Sequence, residues 1–194
     1  MLRSESLSCF RQGRWLFEDL DFEVQSGEVL QIIGDNGVGK STLFRILAGL
    51  LEDYDGKVEI AARSCLFLGH RYGLNPRLTV LENVQFLMAL QGEVPSEDTL
   101  LTALAKLGLL DETQQRCGEL SEGQRKRVAL TRFLLSNAEL WLLDEAFSAL
   151  DHHGRQTLLT LCQSHVDRGG GLVFSSHQAL DPLMVDKTLR LGPA

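Results

Sequence analysis

Between Gly34 and Thr42 the chain reads GDNGVGKST, the spacing GxxxxGK[ST] that turns backbone N–H groups, a lysine and a hydroxyl toward one polyphosphate. Gly34, Gly37 and Gly39 let the backbone fold tightly around Asp35, Asn36 and Val38, so that the amides aim at phosphate oxygens. A helix opening at Lys40 adds the positive end of its dipole. Lys40 is expected to reach the outer phosphates, and the hydroxyl of Ser41, followed by Thr42, to complete a Mg²⁺ shell. A second set lies in ELWLLDEAFSALD, where Asp144 and Glu145 end an apolar run. Paired acids there suit phosphoryl transfer, with Asp144 toward the metal shell and Glu145 polarising the attacking water. A solvated strand end would also accept two acids; the phosphate loop on the same chain favours the chemical reading. A third set, His70, Arg71 and Tyr72, follows Gly69, and three groups able to ligate, donate or stack invite a catalytic reading that depends on what surrounds them. His152 and His153 tempt a metal reading, but neighbours on a helix point apart and no further ligand is evident.

These residues need elements to hold them. Arg14 to Val24 alternates roughly, and Glu28 to Ile33 is a short apolar strand that runs into the glycine loop. From Ser41 the pattern becomes helical, with Leu43, Phe44, Ile46, Leu47 and Leu50 on a wide apolar stripe. Thr79 to Leu90, Glu97 to Leu110 and Ser121 to Ser136 read as helices; Glu139 to Leu143 and Gly171 to Ser176 read as buried strands, with helical Gly154 to Asp167 between them. Strands alternating with helices predict an α/β fold with a mostly parallel sheet. The expected organisation is a core from residues 1–68 and 139–194, with 69–138 as a helical insertion.

Composition narrows the partners. The 194 residues, 44% hydrophobic, suit one domain with an embedded lobe. A net charge of -7 and a pI near 5.2 argue against a broad nucleic-acid footprint, so no direct nucleic acid is expected. No apolar run is long enough to span a bilayer and the start lacks the order of a secretory signal, which predicts a cytoplasmic chain. Four scattered cysteines without a CxxC pair fit reduced thiols.

The stretch LSEGQRKRVALTRFLL from Leu120 resembles the LSGGQ signature of ABC-transporter ATPases, with Glu122 as its one substitution. The resemblance covers almost the whole chain in the family's order: the phosphate loop, LTVLENV, the signature, the Asp144–Glu145 strand, SALD ending at Asp151, and His177 after the last strand. It implies a P-loop NTPase fold, an ABC-type nucleotide-binding domain with a RecA-like core and an inserted helical subdomain. It further implies ATP and Mg²⁺, and a head-to-tail dimer that sandwiches two ATPs between one subunit's phosphate loop and the other's signature. Ser121, Gly123 and Gln124 would then approach the γ-phosphate across the interface, Asp151 would sit in the loop linking the two sites, and His177 would act as the switch histidine. Phe10 lies at the more plausible spacing for the ring that stacks on adenine, with Trp15 as rival. His70 stands where the family has a glutamine that reaches Mg²⁺ and the attacking water, so its metal contact would run through water, with Arg71 and Tyr72 meeting a partner subunit. Ala146 replaces a common proline.

Within that family the short length, LGH before LTVLENV, LSEGQRKRVAL and SSHQALD are most similar to the ATPases of the cytochrome c maturation system, the haem exporters. That similarity implies integral membrane subunits of a haem-handling complex, delivery of haem to a periplasmic chaperone or release of the loaded chaperone, and a peripheral place on the cytoplasmic face of the bacterial inner membrane. The alternatives are the ATPase of another small-substrate transporter, or a soluble ABC protein acting on ribosomes or DNA. The paired cassettes and long coiled-coil insertions usual in the latter are missing here.

Overall fold

Leu2–Arg11 (β1) alternates inward and outward side chains, with Leu2, Ser4, Leu7 and Cys9 buried. It turns through Gln12 and Gly13, both at positive φ (53° and 77°), the two-residue hairpin geometry that matches strand twist, into Arg14–Val24 (β2). After Gly27 the chain enters a second sheet with Val29–Ile33 (β3), passes through the glycine loop and forms the helix Lys40–Leu47 (α1). Asp55–Ile60 (β4) then returns to pair with β1, giving an antiparallel sheet in the order β2-β1-β4. This sheet is an addition to the expected parallel one. The alternation of β1 is shifted by an irregularity around Ser6, which sits at φ 46°, and β4 is almost wholly exposed, so neither carries a clean apolar period.

The second sheet is parallel throughout, in the order β5-β6-β7-β3-β8, where β5 is Cys65–Leu68, β6 is Leu140–Leu143, β7 is Gly171–Ser175 and β8 is Lys187–Arg190. Every residue of β6 and β7 is buried, as expected for strands flanked on both edges and covered on both faces. β3 lies beside β7, and β7 beside β6, so the carboxyl ends of these three strands gather the glycine loop, Asp144 and Ser175. Leu30, Ile32, Leu43, Phe44, Leu140 and Leu142 share one buried cluster with Leu2, Leu7 and Phe17.

The structure, a computed structural model, describes residues 1–176 and 185–192, and divides into two units. The first comprises Met1–His70, Ala138–Ala146 and Cys162–Ala194; the second comprises Arg71–Asn137 and Phe147–Leu161. The second unit holds the helices Val80–Ala89 (α2), Glu97–Lys106 (α3) and Glu122–Leu135 (α4), together with the first part of His152–Asp167 (α5). Segment 147–161, placed with the core in the sequence reading, belongs to the second unit, where Lys126 Nζ on α4 donates to the carbonyl and hydroxyl oxygens of Ser148 at 2.8 and 2.9 Å. α3 stops short of the expected Leu110 because Gly108 turns into the left-handed region at φ 64°.

Candidate nucleotide site

The loop from Gly34 to Gly39 is shaped by what lies behind it. At Gly34 φ is 153°, and a Cβ would stand 2.6 Å from the Leu191 carbonyl oxygen and 2.9 Å from Val38 Cγ1, so the backbone fits only without a side chain. Gly39, at φ 115°, is the N-cap of α1; it supplies no capping side chain, and the first turn of α1 has no acid. The positive end of α1 is therefore offset by no carboxylate of its own. Lys40 is buried and folds back, its Nζ donating to the carbonyls of Gly34 and Asp35 at 2.7 and 2.9 Å. Arg14 Nη2 braces the loop from the hairpin by donating to the Gly37 carbonyl at 2.9 Å.

Asn36, Gly37, Gly39, Lys40, Ser41 and Thr42 open on a cavity of about 640 Å³ within the first unit, together with Phe10 and Glu145. Its charged lining is Arg11, Arg14, Lys40 and Arg45 against Asp53 and Glu145. Four cations against two acids, on a chain of net charge -7, favour a polyanion at this spot over the rest of the surface. Sequence reasoning did not single out Arg11, Arg14, Arg45 or Asp53. The hairpin register pairs Arg11 with Arg14 across the turn, and Arg45 stands on α1 itself. Phe10 lines the cavity. Its cross-strand partner Trp15 meets it edge-to-face at 5.2 Å but lines a different hollow of about 410 Å³, with Leu16, Val38 and Arg190. Val38 thus turns away from the first cavity.

Asp144 follows the buried β6, is itself buried, and is anchored by its N–H donating to the Leu68 carbonyl at 2.8 Å. Ser175, at the end of β7, donates its hydroxyl to Asp144 Oδ1 at 2.8 Å and accepts from the Glu145 N–H at 2.8 Å. One buried hydroxyl therefore fixes both acids, and Glu145 adopts a left-handed φ of 52°, unusual for a residue with a Cβ. Ala146, the next residue, is fully buried.

In the second unit Ser121 caps α4: its hydroxyl accepts from the Gln124 N–H at 3.2 Å, while its own N–H donates to Gln124 Oε1 at 2.9 Å. The Gln124 amide also donates to Glu112 Oε1 at 2.9 Å, so this side chain is committed to holding the turn. Gly123 has a packing reason to be glycine, since a Cβ would stand 2.9 Å from the Ala149 carbonyl oxygen. Asp151 caps α5 by accepting from the Gly154 N–H at 2.7 Å. His70 is exposed, closes the first stretch of the first unit and is not part of the cavity lining. Tyr72, which sequence reasoning aimed at a partner, is half-buried against its own unit. His177 lies outside the described residues.

The sequence model of the ABC transporter family matches residues 17–148. The cytochrome c biogenesis ATP-binding export protein CcmA of Pasteurella multocida is 39% identical, over 96% of this chain and 92% of that protein. The protein of the same name from Idiomarina loihiensis is 44% identical over 93% and 87%, and that from Histophilus somni 41% over 92% and 88%. The chain belongs to the CcmA family of ABC-transporter ATPases. Solved structures agree on the fold of this CcmA-like ATPase. An ATP-binding subunit of an ABC transporter is 26% identical, with a TM-score of 0.85 over 98% of this chain and 85% of that one. The bacterial ABC transporter cassette MJ0796, solved as a dimer, is 22% identical with a TM-score of 0.86 over 98% and 94%. Among the described residues of this CcmA-like chain, no helix is long and apolar enough to cross a membrane.

Proposed function

We propose that this ATPase binds ATP in the Phe10–Lys40–Glu145 cavity and drives a membrane complex of cytochrome c biogenesis, coupling hydrolysis to haem delivery or to release of a haem-loaded chaperone. The observation that carries the reading is the joining, in one polar cavity, of the glycine loop, an α1 terminus without an acid, and Glu145. The α1 amides and Lys40 hold the phosphates, Lys40 exchanging its two loop carbonyls for phosphate oxygens. Phe10, exposed at the cavity edge, offers its face to adenine. Ser41 and Asp144, both hard oxygen donors, would hold Mg²⁺. The ion, when bound, neutralises charge on the phosphate oxygens. Glu145 takes the proton of the water that attacks the γ-phosphorus while the bond from that phosphorus to the β–γ bridging oxygen breaks and ADP leaves with phosphate as the other product, and Ser175 keeps the Glu145 backbone in place. His70, like Asp144, lies outside the cavity lining, and it keeps the water-mediated metal contact that the family resemblance gives it.

The composite site is completed by a second copy, whose α4 terminus, with Ser121 and Gly123, receives the γ-phosphate; Asp151 lies in the segment that follows Ser148. His177 keeps the switch role that the family resemblance gives it. The subunit binds integral membrane partners from the cytoplasmic face of the bacterial inner membrane. The experiment is done in cells lacking the native subunit: parent chain restores haem-containing c-type cytochromes, whereas Glu145→Gln is still recovered with membrane partners and restores none. Full cytochrome levels with Glu145→Gln would separate this chain's role from ATP hydrolysis.

A further inference from the structure

Glu122 takes the first helical position of α4, directly after its Ser121 cap. In the function proposed above that end of α4 receives a phosphate from a second copy, and the present inference rests on that reading. Of the first amides of α4, the Gln124 N–H is taken by Ser121, while those of Glu122 and Gly123 have no partner inside the helix. A carboxylate at this position favours the helix's own dipole but repels an approaching polyanion. Its surroundings give it another direction to point. Tyr72 Oη donates to Glu122 Oε1 at 3.5 Å, and Lys126, one turn further along α4, holds its ammonium 5.8 Å from the centre of the Tyr72 ring. Lys126 is itself buried and fixed by both oxygens of Ser148, so the ring has a fixed charge to lie against.

We propose that Tyr72 is a positioning residue that draws the Glu122 carboxylate away from the phosphate-receiving end of α4, so that the acid in the signature does not oppose ATP. Burial, and next the Glu122 carboxylate, push the Tyr72 phenol above its ordinary value. The role is electrostatic, and it predicts a particular pattern of rescue. Steady-state ATP turnover is measured with the chain assembled in its membrane complex. Tyr72→Phe keeps the ring and removes the donor; KM for ATP rises about 3- to 5-fold, the effect of one misplaced charge at a helix end, with kcat near the parent value. Glu122→Asp, too short to reach Tyr72, raises KM to the same degree. Glu122→Gln leaves KM at or below the parent value, and the Tyr72→Phe/Glu122→Gln pair matches Glu122→Gln alone. A pair that stays as impaired as Tyr72→Phe means a packing role and overturns the inference, as does an unchanged KM in Tyr72→Phe and Glu122→Asp. Ser121→Ala reports separately on the underlying reading: parent kinetics in that variant would mean that α4 receives no phosphate, and the basis of the inference would be gone.

Discussion

Ser175 lies 31 positions from Asp144 in the chain and reaches both acids of the proposed site with one hydroxyl. Replacing it with alanine leaves the buried Asp144 carboxylate and the Glu145 amide each short of a bond, which should cost about 1–3 kcal/mol of stability. Thermal unfolding of Ser175→Ala measures that loss, and ATP turnover should fall with it as Glu145 loses its fixed backbone. Glu145→Gln keeps shape and hydrogen bonding but cannot take a proton. Turnover should drop by about 10² to 10⁴ while nucleotide affinity stays at the parent level. Lys40→Ala should do the reverse, weakening nucleotide binding first, as titration with a fluorescent ATP analogue would show. Lys40, Asp144 and Glu145 are legible in the sequence because their spacing along the chain is itself the signal. Ser175 and the cations Arg11 and Arg14 are not, because only strand pairing brings them to the acids and to the cavity.

The two helix ends assigned to phosphate differ in their first turns. α1 begins at a glycine with no capping side chain and no first-turn acid, whereas α4 begins at a closed Ser121–Gln124 box with Glu122 in its first turn. The first is the stronger anion site by physical chemistry alone; the second needs its acid directed elsewhere. Gly34 ties the loop before α1 to the segment after β8, and Gly34→Ala would press a methyl group onto the Leu191 carbonyl in a backbone region that L-residues avoid. Nucleotide affinity should fall at least about tenfold, with a destabilisation of about 1–3 kcal/mol, read by nucleotide titration and by urea unfolding of the same sample. Helical patterning predicted α2 and α4 to within a residue or two and the start of α3, because an apolar stripe is a local signal. β1 and β4 escaped, since a shifted alternation and an exposed edge carry little local signal.

At the scale of the whole chain, stability has an acid limit set in the core. His165 is buried with its ring stacked on Trp141 at 3.9 Å, its Nε2–H directed to the Gly171 carbonyl at 3.1 Å. The ring packs so closely on Gly170 that no Cβ could stand there. Burial lowers its pKa from 6.5 to about 4. The unfolded chain therefore binds a proton that the folded chain refuses across that window, so stability is full above pH 6.5 and falls as the pH drops toward 4. The loss is at most on the order of 3 kcal/mol. Urea unfolding of the parent and of His165→Phe at several pH values isolates it: the difference in stability between the two should change with pH inside the window and be flat above it. Sequence alone determined the order of parts: the phosphate loop, the acid pair, the signature and the helices read from Glu97 and Ser121, all of them written in residues a few positions apart. Tertiary structure alone decided which distant groups complete the site. Parallel pairing of β6, β7 and β3 brings Ser175 to the acids, the hairpin brings Arg14 to the loop, and packing in the second unit ties Tyr72 to Glu122. Those contacts join residues far apart in the chain, and a local pattern cannot encode a meeting that only the buried core imposes.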